Sequence, residues 1–259
     1  MPNVGEIERA LFEIAPRECA QDWDNVGLLV GRPDREVHKI LAALDITETV
    51  IEEADRWGAD LIVAHHPVVF HGQKSVTDRD VTGRRLLHLI ERNISAICMH
   101  TNLDIAEGGV NDVLAQVLGI QEPERFTGEG VGRCGWRAEP MALPEFVRHV
   151  ARVLGCNGVR YADAGKPVHR LAVGGGACGE FEDAAIYAGC DTFVTADLSY
   201  HQFVDAKAKG INLIDAGHFP TEDLICEEVI AYLADRFPGM EIQKSASHRE
   251  VIQYYVEGE

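Results

Sequence analysis

The chain has 259 residues, 46% hydrophobic and 25% charged, the make-up of a globular protein that can bury a substantial core, and this excludes a disordered chain. Its formal charge of −18, from 24 Lys+Arg against 42 Asp+Glu with no basic run, opposes a nucleic-acid partner. Seven scattered cysteines without a CxxC pair argue against a disulfide framework or a zinc ribbon; no stretch reaches the roughly 20 apolar residues of a membrane span; and Met1 to Ala15 lacks a signal-peptide pattern, so a cytoplasmic protein is expected.

Apolar residues at Val4, Ile7, Leu11 and Ile14 predict a helix that Pro16 closes. Trp23-Asp24-Asn25-Val26-Gly27 reads as a turn into the strand Leu28 to Val30, and Lys39 to Leu44 as a second strand. Thr47 caps a helix over Glu48 to Trp57 that stops at Gly58, and the strand Asp60 to Val63 follows. Helical spacing returns over Arg84 to Arg92, strand character over Ile94 to Met99, and helix over Val110 to Leu118. The Gly/Pro/Glu-rich stretch Gly119 to Gly135 breaks this rhythm and sets a domain boundary near residue 125.

A second series then runs through helix Leu143 to Leu154, strand Arg170 to Val173, helix Phe181 to Ala188, strand Thr192 to Thr195, helix His201 to Lys209 and strand Asn212 to Ile214. Glu222 to Arg236 reads as one further helix, and His248 to Val256 as a strand returning to the first domain. The alternation predicts an α/β protein of two domains with largely parallel central sheets: residues 1–125, completed by 225–259, and residues 126–224. Gly58 to His66 also aligns without gaps to Gly189 to Asp197. Shared helix-turn-strand grammar or a duplication accounts for this, and a duplication would put Asp197 at the strand end equivalent to His66.

Ligands of parallel α/β sheets collect at the carboxyl ends of strands. Three predicted strands end there in metal-ligand chemistry: the first delivers His65 and His66, the second His100 and Asp104, and the third His218 and Glu222. Adjacent His65 and His66 point to opposite sides of an extended backbone, so each can serve a different ion. His218 and Glu222 stand four apart, one helical turn, where they can converge on a single ion; Pro220 suits a first helical turn and leaves His218 in a loop or cap. Imidazoles with carboxylates suit Zn, Mn, Fe, Ni or Co, and this many donors are better used by two ions than by one four-coordinate ion with an open position.

Four motifs in this order carry a resemblance: Trp23-Asp24-Asn25-Val26-Gly27-Leu28; Ala64-His65-His66-Pro67 with Phe70; His100-Thr101-Asn102-Leu103-Asp104; and Asp215-Ala216-Gly217-His218 with Thr221-Glu222. The chain resembles the NIF-three-like family, also called GTP cyclohydrolase I type 2 homologues, in its short form without an inserted middle domain. The resemblance implies two interlinked α/β domains with a dinuclear metal site between them and a ring-shaped homohexamer. It also implies His65, His66, Asp104, His218 and Glu222 as the ligands of two divalent metal ions per chain, Glu222 bridging. The chain departs from the family pattern at Ala196, where Gly is common, and in the Gly174 to Gly179 turn.

Two functions follow as expectations. The first is a metal-dependent hydrolase acting on a nucleotide-like small molecule through a metal-activated water, with attack at purine C8 or on a phosphoester both open. The second is an oligomeric metal-holding scaffold or metal-delivery protein without turnover. His100 and His201 are the acid–base candidates, and a supporting or structural role is the alternative for each. Gly174 to Gly179 reads as a tight turn rather than a phosphate cradle, Lys74 and Arg79 as solvated charges rather than an anion site, and Cys98 as a core residue.

Overall fold

The computed structural model describes residues 1–255, which fall into two compact units: Met1–Glu107 with Ile225–Arg249, and Gly108–Leu224 with the segment from Glu250. In chain order the first unit holds α1 (Val4–Ile14), β1 (Gly27–Val30), β2 (Lys39–Ala43), α2 (Glu48–Trp57), β3 (Leu61–Ala64), α3 (Val81–Glu91), β4 (Ser95–Cys98) and α4 (Thr101–Ile105). The second unit follows with α5 (Val110–Val117), β5 (Gln121–Glu124), β6 (Arg133–Met141), α6 (Leu143–Leu154), β7 (Arg160–Ala162), β8 (Val168–Val173), α7 (Glu182–Tyr187), β9 (Thr192–Thr195), α8 (Tyr200–Lys209), β10 (Asn212–Asp215) and α9 (His218–Glu222). The chain then returns to the first unit as α10 (Ile225–Arg236) and β11 (Glu241–Lys244).

Local chemistry sets the helix ends. Asn3 and Glu6 form a reciprocal capping box at α1, while Thr47 accepts the Val50 N–H at the head of α2. Gly58, at φ 77°, takes the left-handed turn that ends α2. In the first unit the sheet order is β1-β4-β3-β2-β11, parallel throughout except for β1, which runs antiparallel to β4. All four residues of β3 are buried, which is why this strand reads as an unbroken apolar run. Leu41, Ile62 and Ala96 pack there against Ile51 of α2 and Leu89 of α3.

The second sheet corrects the expectation of largely parallel sheets. Its order is β5-β6-β8-β9-β10-β7, and only β8–β9 and β9–β10 pair in parallel, while β5–β6, β6–β8 and β10–β7 are antiparallel. Strands β5 to β7 carry no clean alternation: β5 is exposed along its whole length and contains Pro123, which an edge strand tolerates.

Boundaries shift for related reasons. The first unit ends at Glu107 rather than near residue 125, because Leu114, Ala115 and Leu118 of the α5 segment are buried with Phe146 and Leu171 in the second core. The returning strand is β11, parallel to β2, not His248 to Val256. Residues 248–255 form no strand, and Val256 lies outside the described residues. Beyond Arg249 the chain joins the second unit, where Asn157 donates to the Ile252 carbonyl (3.1 Å). The single helix expected over Glu222 to Arg236 is two, α9 ending at Glu222 and α10 starting at Ile225.

The internal echo extends to hydrogen bonds. Asp60, before β3, accepts with Oδ2 the N–H groups of His38 (2.8 Å) and Lys39 (3.2 Å), and returns its own N–H to the Lys39 carbonyl. Asp191, before β9, accepts with Oδ2 those of His169 (3.0 Å) and Arg170 (2.7 Å), and returns its N–H to the Arg170 carbonyl. In each unit one carboxylate fixes the register of two parallel strands. Asp60→Ala and Asp191→Ala are each expected to cost about 1–3 kcal/mol, since two backbone donors lose their acceptor. Denaturant unfolding checks this, and midpoints unchanged in both variants would contradict it.

Candidate functional site

In the first unit three histidines converge from two strand ends. His65 and His66 follow β3, and His100 follows β4; their ring centroids lie 5.0 to 5.6 Å apart, and each offers a ligand atom within 4.8 Å of those of the other two. The Nδ1 of His65 lies 2.8 Å from the Met99 carbonyl, which only accepts, so Nδ1 carries the proton. Likewise His66 Nδ1 faces Asp45 Oδ1 and His100 Nδ1 faces Asp24 Oδ1, both at 2.8 Å.

Both carboxylates are held ionised. Burial pushes Asp24 up, but hydrogen bonds from His100 and Thr101 outweigh it and bring its pKa down to about 2. Burial pushes Asp45 up too, and bonds from His248 (Nε2 to Oδ2, 3.1 Å) and His66 outweigh it, holding the carboxyl well below its usual range. A neutral imidazole with its proton fixed at Nδ1 presents a lone pair at Nε2. His65 Nε2 stands 3.5 Å from Asp104 Oδ1. Two acceptors facing each other need a positive charge between or on them, either an added proton or a cation.

The second unit repeats this chemistry with other parts. His218 opens α9 and Glu222 ends it one turn later, with Nε2 and Oε2 3.0 Å apart. Pro220 sits inside the first turn, where its missing N–H costs nothing, so His218 belongs to the helix and not to a loop. His218 Nδ1 lies 2.7 Å from Asp197 Oδ2, and Asp197 follows β9 at φ 56°, a conformation Asp tolerates better than most residues.

The Gly174 to Gly179 turn closes around this pair. A Cβ on Gly176, at φ 63°, would stand 2.1 Å from Glu222 Oε1 and 3.1 Å from His218 Nε2. The Gly175 N–H donates to Asn111 Oδ1 (2.9 Å) and the Gly176 N–H to Thr221 Oγ1 (3.0 Å). The turn therefore seats the His218–Glu222 pair, and the N–H groups of Gly175 and Gly176 are engaged rather than offered to a phosphate.

The expected residues thus form two sets: His65, His66, His100 and Asp104 in the first unit, His218 and Glu222 in the second. His201 is exposed on the first turn of α8 with its ring against Tyr200 (5.4 Å), so it joins neither set. Lys74 and Arg79 are exposed, and burial pushes the Cys98 thiol up to about 12, which keeps it an unreactive core group. The orienting residues Asp45, Asp197 and His248 and the seat at Gly176 were not singled out by sequence as functional. Asp24 stood in a quoted motif without a role, and Asp197 stood in the internal echo opposite His66. His248 lacks any local signal, since the returning chain alone brings it to Asp45.

Donor identity fits a divalent ion. Imidazole nitrogens held by a carbonyl or carboxylate at the far ring nitrogen, beside further carboxylates, are the arrangement that metal-ligating histidines adopt. Fold and donors together define a two-unit α/β protein with groups of His, Asp and Glu able to hold a metal ion. The chain belongs to the DUF34/NIF3 (NGG1p interacting factor 3) family, whose model matches residues 2–250.

A Clostridium perfringens protein named GTP cyclohydrolase 1 type 2 homolog is 35% identical over 227 residues, covering 85% of this chain and 87% of its own. Among solved structures, a Staphylococcus aureus hypothetical protein matches with a TM-score of 0.90 at 28% identity over 98% of this chain and 100% of its own. A Bacillus cereus protein related to NIF3 shares the fold at a TM-score of 0.91 and 24% identity, over 98% of this chain and 99% of its own.

Gly176→Ala is expected to destabilise the protein by at least about 1 kcal/mol and to abolish any rise in Tm on adding Zn²⁺. Gly189→Ala is the control, because its φ of 77° imposes similar strain with no atom within 4 Å of the added Cβ, and it should keep that rise. Equal Zn²⁺ responses in the two variants, read by thermal denaturation, would contradict the seating role of Gly176.

Proposed function

We propose that the two donor sets act together to hold two divalent metal ions through His65, His66, Asp104, His218 and Glu222, with Glu222 the bridging carboxylate, and that the chain is a metal-dependent hydrolase of a nucleotide-like small molecule. One observation carries this reading: in both units an imidazole whose proton is fixed at Nδ1 turns Nε2 towards a carboxylate oxygen, His65 to Asp104 and His218 to Glu222. The relatives named GTP cyclohydrolase 1 type 2 homolog support a purine nucleotide as the first substrate to try.

When bound, divalent ions in such a site act as Lewis acids that acidify water and polarise the bond to be hydrolysed. The chain's own residues prepare that chemistry. Asp45 and Asp197 hold protons at the Nδ1 atoms of His66 and His218 and raise their basicity at Nε2. His100, with its Nδ1 proton on Asp24, is the group that takes up and returns a proton at Nε2 during turnover. The same reading carries a homohexamer and a reducing, cytoplasmic setting, which suits seven cysteines that are all thiols.

Protein purified without added metal is expected to hold about two ions per chain and to hydrolyse GTP or another nucleotide in a screen that includes generic phosphoesters. Glu222→Ala should hold fewer than one ion and lose more than about 100-fold in activity, and Asp197→Ala, which removes only an orienting partner, about 10- to 100-fold. Intact activity and metal content in Glu222→Ala would refute the dinuclear hydrolase. Metal loss in that variant with no substrate turned over by the wild type would leave the scaffold as the better account.

A further inference from the structure

The first unit exposes two large aromatic rings beside its histidine set. Trp23 is 59% exposed and Phe70 46%, and their centroids lie 5.6 Å apart at 54°. Each ring also stands 6.1 Å from His100, and Phe70 lies 4.8 Å from His71. Exposed indole and phenyl rings contribute little to the core they do not enter, yet this pair is fixed from behind. The Asp24 side chain is fully buried and accepts four hydrogen bonds, from His100 Nδ1, the Thr101 N–H, the Thr101 hydroxyl and the Asn25 N–H. Asn25 ties the same turn to the loop after β3 by donating from Nδ2 to the Val69 carbonyl (2.6 Å), one residue before Phe70. Three consecutive residues thus divide the work: Trp23 presents a ring, Asp24 orients His100, and Asn25 brings Phe70 alongside.

We propose that Trp23 and Phe70 form a stacking face for a planar heteroaromatic ring, a purine-like base, whose polar edge is turned towards His65, His66 and His100. The proposal rests on the reading of this site given above and names the part of the ligand that the site grips. Two apolar rings tilted 54° to each other and bordered by imidazoles offer one ring to stack on and a second to close against its edge, which matches a ligand with an apolar π-face and a polar rim, and aromatic side chains hold bases in this way.

Guanosine carries the ring without phosphate, and inorganic phosphate offers a metal-seeking anion without a ring, so calorimetric titration of both separates the face from the metal centre. Trp23→Ala and Phe70→Ala are each expected to weaken guanosine binding roughly ten- to hundredfold with phosphate affinity and metal content unchanged, and Trp23→Phe to stay within about threefold of wild type. Undiminished guanosine affinity in both alanine variants, or no saturable guanosine binding by the wild type, would overturn the proposal. So would a joint loss of metal, phosphate and guanosine in Trp23→Ala, since Trp23 would then act by holding His100. Guanosine binding that depends on Trp23 in a wild type that takes up no Zn²⁺ would support the face and defeat the metal reading, which keeps the two failures apart.

Discussion

A single kind of hydrogen bond organises this protein's chemistry: the one that pins the proton of an imidazole at Nδ1. His65 gives that proton to a carbonyl, and His66, His100 and His218 give theirs to carboxylates, all at 2.7 to 2.8 Å. Neutral imidazole has only one proton, so each such bond makes the far nitrogen a base or a ligand. The acceptors come from places the sheets dictate. Met99 follows β4, Asp45 closely follows β2 and Asp197 follows β9, all at carboxyl ends of parallel strands. Asp24 instead precedes β1, and reaches His100 because β1 runs antiparallel to β4, with Gly27 opposite Cys98. The one antiparallel edge of the first sheet is thus what lets the Trp23-Asp24-Asn25 turn take part.

The two units use one structural sentence with different words. Asp60 and Asp191 make equivalent hydrogen bonds at the starts of β3 and β9. Following those strands, His66 and Asp197 occupy the aligned positions, one an imidazole that offers a nitrogen, the other a carboxylate that orients one. Opposite Asp197 the second unit supplies its imidazole from α9 and keeps glycine at position 176, where any side chain would strike Glu222. That glycine is explained by a carboxylate it must admit, since its N–H is already bonded to Thr221.

Much of this was legible in the sequence where a local rule decides the outcome. The helix over Glu48–Trp57 follows from Thr47 and Gly58, and strand ends and four-residue spacing bring out His65, His66, His100, Asp104, His218 and Glu222 as candidate donors, which only the family resemblance narrows to a ligand set. Strands β5, β6 and β7 were not legible: their stability comes from neighbours in the sheet, and an exposed Pro-containing edge has no period to detect. Asp45 and His248 meet over 203 residues of sequence because β11 returns beside β2, a contact that no spacing announces. His201 shows the opposite failure, where proximity in sequence to Asp197 gave a helix-surface residue.

The central claim is that these imidazoles are set to offer Nε2 to a cation. Long-range ¹H–¹⁵N correlation NMR of the metal-stripped protein near neutral pH reports it directly, because it distinguishes the two tautomers and the doubly protonated ring. The account predicts that His65, His66, His100 and His218 all keep a proton at Nδ1, and that the Nε2 resonances of His65, His66 and His218 shift on addition of Zn²⁺, which replaces any proton held between His65 and Asp104 or between His218 and Glu222. Nε2–H tautomers at these positions, or Nε2 resonances of His65, His66 and His218 unmoved by Zn²⁺, would contradict it.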